Sequence, residues 1–201
     1  MNRYGAGMGA AERWNERYTQ GLRPFPDTPA HWLVEHRGLL AGGGRGLDVA
    51  CGDGRNALYL AQHGYAVDAI DASDVAIDAL RAAAQERGLA ITPQVVDVER
   101  EPLPAGPYDA IVVMNFLERA LFEPLRDALA PGGLLFYETL SVAHVEELGR
   151  SFNPAYLLAR GELLEAFAEL DVIDHVEGVV ERPDGPRGVA SIVARRPPDE
   201  R

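Results

Sequence analysis

The stretch from Gly46 to Asp71 constrains the fold more than any other part of the chain. It opens with Leu47-Asp48-Val49, an apolar strand segment carrying an acid. A loop of small residues follows, Ala50-Cys51-Gly52-Asp53-Gly54, then a helix expected over Arg55 to His63 and a second strand closing at Asp71. Strand, tight loop, helix and strand have the form of a βαβ nucleotide-binding unit. Gly52 and Gly54 fall where the backbone must turn sharply, approach a ligand and feed a helix N-terminus. Asp71 follows Asp48 by about 20 residues, the spacing at which an acid ending the second strand meets ribose hydroxyls.

The rest of the chain continues the rhythm. Ser73 is an expected N-cap for a helix running to Arg87 and ended by Gly88. A third strand is expected over Ile91 to Val98, and Pro102, Pro104 and Pro107 then mark a loop. Asp109 to Met114 suits a buried central strand, followed directly by Asn115. A helix from Glu118 to Ala130 and a turn at Pro131-Gly132-Gly133 lead to a fifth strand, Leu134 to Glu138. Alternation of this kind predicts a parallel sheet with helices on both faces. The end differs: a helix over Gly161 to Leu170, strands over Val172 to Val180 and Val189 to Ala194, and a turn from Arg182 to Arg187 between them predict an antiparallel hairpin.

Upstream, residues 1 to 10 lack periodicity and are expected to be disordered without a partner. A short helix over Ala11 to Tyr18, an extended loop from Gly21 to Pro29, and an amphipathic helix from Pro29 to Leu40 form a cap on the nucleotide unit. The chain of 201 residues reads as a single domain, with residues 1–41 as cap and 42–201 as a Rossmann-like core. The expected fold is α/β: a seven-stranded, mostly parallel sheet with a C-terminal antiparallel hairpin and helices on both faces.

A formal charge of -12 argues against nucleic acid as a partner, since phosphate binding favours a basic face. No run approaches a membrane span and the N-terminus has no apolar signal core, so a cytoplasmic protein with no membrane partner is expected. The single cysteine, Cys51, excludes an internal disulfide and every multi-cysteine zinc pattern. His31, His36, His63, His144 and His175 show no ligand spacing, so no metal is expected.

The acid-led loop Asp48 to Gly54, with seven strands ending in a hairpin, resembles the class I S-adenosylmethionine (SAM) methyltransferases. Three stretches are similar to the tellurite-resistance (TehB-like) and thiopurine-methyltransferase-like branch: Trp14-Asn15-Glu16-Arg17-Tyr18; Cys51 to Ala61 with its Arg55-Asn56 pair; and Asn153 to Leu158 with Gly161-Glu162-Leu163. Ala50 departs from the common loop, which has its first glycine there. Little is lost at that position if the backbone is ordinary.

The resemblance implies SAM as cofactor and a small-molecule acceptor, with a thiol or metalloid oxyanion as candidates. The cofactor-binding residues it implies are Trp14, Asp48, Ala50, Gly52, Gly54, Asp71, Ala72, Asp97, Val98 and Asn115. Asp48 would favour the ligand's ammonium, Asp71 would bond the ribose, and Asp97 with Val98 would clamp the adenine. Replacing Asp71 with Ala is then expected to weaken SAM binding by about tenfold or more while leaving the ligand-free thermal midpoint nearly unchanged. Cys51 reads as loop packing, because transfer from a sulfonium needs no enzyme nucleophile. No residue is assigned as catalytic; Tyr18, Glu138 and His144 are the candidates if a general base is needed. Arg17, Arg119 and Arg160 are the cations expected near the pocket for an anionic acceptor, and Arg55 sits at a helix start where the dipole does not favour it. A non-catalytic SAM or nucleoside sensor of the same fold is the alternative. A dinucleotide enzyme is disfavoured because the third glycine of its loop is replaced by Ala57. The residues do not specify an oligomeric state.

Overall fold

The computed structural model describes residues 9–22, 27–182 and 185–199. The expected disorder at the N-terminus lies mostly outside the described residues, as does part of the loop before Pro29.

The strands are β1 Gly44–Val49, β2 Tyr65–Asp71, β3 Ile91–Val95, β4 Tyr108–Met114, β5 Leu129–Leu140, β6 Asp171–Val180 and β7 Arg187–Arg195. They form one sheet in the order β3-β2-β1-β4-β5-β7-β6. The first five pair in parallel, while β7 runs antiparallel to both β5 and β6. The expected α/β architecture with its terminal hairpin is therefore the one found. The order reverses on either side of β1, and in such sheets the crevice beyond the strands' C-terminal ends receives the ligand.

The helices are α1 Ala10–Thr19, α2 His31–Glu35, α3 Arg55–Gln62, α4 Asp74–Arg87, α5 Phe122–Ala128, α6 Ala143–Glu146 and α7 Glu162–Ala166. Their placement follows from which face of the sheet needs cover. Ile111 and Val113 of β4 join a core with Leu125 of α5 and Leu163 and Phe167 around α7. Ala110, Val112 and Met114 of the same strand face Trp32 and Leu33 of α2, Leu60 of α3 and Ile77 and Leu80 of α4. β4 is thus apolar on both sides, as its sequence demands.

Helix α4 begins and ends at its expected signals: the Ser73 hydroxyl accepts the Ala76 N–H at 3.2 Å, and Gly88 takes φ 62°. Other boundaries differ. The segment expected as one helix over 29–40 divides into α2 and a 3₁₀ turn at Arg37–Leu40, pinned by the Trp32 indole donating to the Ile192 carbonyl at 3.2 Å. The helix expected from Glu118 starts as a 3₁₀ turn, with the Glu118 carboxylate accepting the Ala120 N–H. β3 stops at Val95, leaving Asp97 and Val98 in the following turn. β5 begins at Leu129 rather than after the Pro131-Gly132-Gly133 turn, because a register shift against β4 absorbs those residues within the strand. A Cβ on Gly133 would stand 2.7 Å from the Tyr108 carbonyl and 2.8 Å from that of Ala130, which is why glycine is needed there. The last helix is only α7, five residues long.

Candidate functional site

The loop after β1 folds back under β2. The Cys51 N–H donates to the Ile70 carbonyl at 3.0 Å, and the Gly54 N–H closes on the Cys51 carbonyl at 3.1 Å. Gly52 at φ 58° and Gly54 at φ 89° take the left-handed backbone conformation. Ala50 takes it too, at φ 53°, so the condition under which little would be lost there is not met and alanine carries the strain. A Cβ on Gly54 would run into the Leu80 side chain, and one on Gly52 would meet the Tyr18 hydroxyl. Cys51 is buried with its thiol over the Gly52 carbonyl, and burial pushes its pKa well up, so it packs the loop as an inert thiol.

Asp71 organises this loop. One carboxylate oxygen accepts the Gly52 N–H at 2.9 Å and the other the Ser73 N–H at 2.8 Å. Burial raises its pKa while those backbone donors pull it back. Because Asp71 holds two backbone amides in the protein itself, the expectation that its removal leaves the fold untouched is corrected: the loop loses an anchor. Ala72 lies between Asp71 and Ser73 and adds its own N–H to the Asp71 carboxylate. Asp48 is 1% exposed. The Ala57 N–H bonds its carboxylate, one oxygen is left without a partner, and burial lifts the pKa to about 7.

Helix α1 covers the loop. The Ser73 hydroxyl donates to the Asn15 side chain at 2.6 Å, tying α1 to the start of α4. The Tyr18 pKa is raised, first by burial and then by Asp71 and Asp53, so its hydroxyl stays protonated. Trp14 stands one turn before Tyr18, under the Arg17 guanidinium 5.0 Å from its ring centroid. Beyond β3, Asp97 caps its own turn, accepting the Glu99 N–H at 3.2 Å, with Arg100 at 3.5 Å; Val98 packs on the core. Asn115 follows β4 at φ 59°, a conformation asparagine tolerates, and its N–H donates to the Glu138 carbonyl at 2.7 Å.

A second polar group lies at the same edge of the sheet, where the β6–β7 turn meets β4 and β5. Arg182 donates to Glu138 at 2.6 Å, and the Ser191 hydroxyl donates to the same oxygen at 2.7 Å. Arg187 donates to the Asn115 side chain at 3.3 Å. Arg55, one end of which bonds the Thr28 carbonyl, has its pKa lowered by burial, feels the repulsion of Arg187, and is drawn by Asp48, Asp53 and Glu138. Nearby, His144 accepts the Gly188 N–H on Nδ1 at 3.2 Å, which assigns its proton to Nε2; burial and then Arg150 and Arg187 lower its pKa.

Sequence reasoning singled out Arg55, Asn115, Glu138 and His144 separately but missed Arg182, Arg187 and Ser191, which bring them into one group. Arg119 is committed to Glu162 and the Leu157 carbonyl, Arg160 to Glu146 and Glu147, and Arg17 to Trp14. None of the three lines the edge with Arg55. The available signal was the pair Arg182 and Arg187 bracketing the hairpin turn, since β7 begins beside the C-terminal end of β5. Among the described residues no cluster of His, Cys, Asp or Glu could hold a metal, and no helix is long and apolar enough to cross a membrane.

Comparison with known proteins accords with this geometry. Residues 47–133 match the model of a methyltransferase domain. The chain is 27% identical over 146 residues to the ubiquinone biosynthesis O-methyltransferase of Acinetobacter baylyi, covering 65% of this chain and 58% of that protein. It thus spans about half the length of the curated relatives it matches, 43% in the case of the Coxiella burnetii enzyme of the same name. Among solved structures, TehB from Haemophilus influenzae superposes with a TM-score of 0.74 at 21% identity, covering 90% of this chain and 67% of TehB. The protein whose structure describes conversion of a disulfide bond into a thioacetal group during echinomycin biosynthesis superposes at 0.71 and 22% identity, covering 96% and 93%. Residues 47–133 thus match a methyltransferase domain, and the seven-stranded sheet with its terminal hairpin is the fold of these solved structures.

Proposed function

We propose that this chain binds SAM at the Asp48–Asp71 loop and methylates a small anionic acceptor held by Arg55, Arg182 and Arg187. The observation that carries the acceptor class is the gathering of these three cations around Glu138 and Asn115, at the sheet edge beside the loop. Anions are favoured where guanidinium groups meet in a partly dry site.

The loop residues fit the cofactor. The unpartnered Asp48 oxygen suits an ammonium, and Asp71 retains lone pairs for ribose hydroxyls beside its backbone bonds, while the glycines at 52 and 54 make room for the Tyr18 hydroxyl and the Leu80 side chain that pack the loop. Ala50 and Ala72 add small surfaces at the two strand ends. Asp97 and Val98 would take the adenine, with Asp97 shared with Arg100, and Trp14 would cover the ligand from α1. Asn115 would stand between cofactor and acceptor. When bound, SAM supplies an electrophilic methyl on a sulfonium.

The chain's own residues position the acceptor and exclude water. Tyr18 holds its proton, Glu138 is committed to Arg182 and Ser191, and the His144 nitrogen facing Gly188 is already engaged. Tyr18 and His144 present no lone pair for deprotonating an acceptor, and the Glu138 carboxylate is tied to Arg182 and Ser191 through one oxygen, so an acceptor that arrives already ionised suits the site best. An anionic oxygen or sulfur meets that need, and alignment alone supplies up to roughly 7–11 kcal/mol. The curated relatives being O-methyltransferases makes oxygen the first atom to try.

The test is release of S-adenosylhomocysteine from SAM with selenite, tellurite, catechol and 2-mercaptoethanol, alongside calorimetry with SAM and NAD. Turnover with an anionic member is expected. SAM binding without product across the panel would favour a non-catalytic sensor, and NAD binding without SAM binding would defeat the reading altogether.

A further inference from the structure

We propose that Glu138 is a positioning residue that holds Arg182 in place for the anionic acceptor, an inference resting on the anionic-acceptor reading above. Glu138 lies near the end of β5 and is almost fully enclosed, its side chain 10% exposed against 11% for Arg182. A carboxylate in such surroundings must be matched by donors. Two reach it, Arg182 at 2.6 Å and the fully buried Ser191 hydroxyl at 2.7 Å, both on the same oxygen. Ser191 sits directly opposite Glu138 in the β5–β7 register, so the sheet itself fixes the carboxylate.

Arg182, in contrast, lies just past the end of β6, where no ladder bond holds it. Its long stem would leave the guanidinium free to turn outward, and on its other side it meets the His31 ring at 3.4 Å. Glu138 therefore converts a loop arginine into a fixed donor. Arg182 also lines a cleft of about 610 Å³ with Trp32, Glu35, His36, Asp174 and Val180. A guanidinium presents five N–H donors. With one given to Glu138, others remain for an anion at the sheet edge. Glu138 also draws on Arg55, though less than Asp48 and Asp53 do. A group with this role touches the acceptor only through Arg182.

The test uses the full chain loaded with S-adenosylhomocysteine and calorimetry with sodium selenite and sodium sulfate as probes. Glu138→Gln is expected to weaken selenite binding by about tenfold or more, the loss of one charge-assisted contact. Glu138→Asp is expected to recover part of that loss. Arg182→Gln should weaken selenite equally, and Glu138→Gln combined with Arg182→Gln should lose no more than either alone. SAM affinity should stay within about twofold of wild type in every variant, which a general structural role for Glu138 would not allow. Ser191→Ala, which removes only the second donor, keeps the question open to measurement if Glu138→Gln does not fold; its expected effect is about two- to fivefold. Equal selenite affinity in the Glu138 and Ser191 variants, or additive losses in the double variant, overturns the inference and leaves the anionic-acceptor reading standing. Binding of neither anion by the wild type overturns that reading and the inference with it.

Discussion

The glycine loop and the hairpin edge lie at the same end of the sheet but are built differently. In the loop, the contacts are close in sequence: Asp71 bonds Gly52, 19 residues away, and Ser73, two residues away. At the hairpin edge, Glu138 meets Arg182 across 44 residues and Ser191 across 53, and Arg187 meets Asn115 across 72. The loop is one supersecondary unit whose shape is set by its own glycines and by the strand it returns to. The edge exists only once β7 has paired with β5. Cofactor-side and acceptor-side chemistry therefore answer to different parts of the folding free energy, and perturbing one should leave the other readable.

The strongest way to break that separation is at the buried pair. Arg182→Met leaves the Glu138 carboxylate enclosed with Ser191 as its remaining donor at that oxygen. Loss of one partner of a buried pair costs about 3–5 kcal/mol, read as a lower urea midpoint. SAM affinity of the folded fraction should change by less than about twofold, since the members of the pair bond to each other and to Ser191 and not to the loop. A parallel fall in SAM affinity would show that the two regions are one unit.

Asp71→Asn tests the loop from its own side. An amide keeps one acceptor but loses the charge and one of the two backbone bonds, so SAM binding should weaken by about a hundredfold, near 3 kcal/mol for charge-assisted bonds. The ligand-free midpoint should also drop, by about 1 kcal/mol in stability, because Gly52 or Ser73 loses its partner. Selenite binding to protein loaded with S-adenosylhomocysteine at saturating concentration should be unaffected. SAM affinity unchanged by the substitution would remove Asp71 from the ribose.

The same division decides what can be read from the residues alone. β1, α3, β2 and α4 were legible because hydrophobic run, glycine loop, N-cap Ser73 and C-terminal Gly88 are local signals that agree with one another. The hairpin was legible as a hairpin, but its arginines were not legible as site residues, since which side chains cross from β7 to β4 depends on strand order and register. Arg119 misled for the same reason: its segment faces the pocket's side of the sheet, but Glu162, brought in by α7, claims it. The 29–40 helix was overcalled because Trp32 anchors to β7, a tertiary contact that ends the helix after Glu35. The conformation of Ala50 was left open because no residue type announces a left-handed backbone unless it is glycine or asparagine.

Asp48 sharpens the comparison through pH. Its carboxyl, near 4 in an unfolded chain, is raised to about 7 by burial. The native state therefore holds a proton that the unfolded state has released between these values. Stability must fall as pH rises from about 4 to about 7 and level off above. Allowing for relaxation of the site, the difference between pH 5 and pH 8 attributable to Asp48 should be about 1–2 kcal/mol, and Asp48→Asn should lack it. Urea unfolding of both proteins at the two values measures it, and coincident pH slopes would mean that Asp48 is not the group ionising in the loop.

The smallest effect comes from Ala50. Its φ of 53° places a Cβ where only glycine is comfortable, so Ala50→Gly relieves local strain at the cost of a more flexible unfolded chain. The first term is about 1–2 kcal/mol and the second opposes it by roughly 0.4–1, leaving a net gain of about 0.5–1 kcal/mol. In a domain of this size that raises the thermal midpoint by about 1–4 °C. SAM affinity should change by less than about twofold, because the backbone path is the same with either residue. A midpoint that falls instead would mean that the alanine methyl packs in the loop well enough to outweigh its backbone strain, and the local account of the loop would then need a side-chain contact it presently lacks.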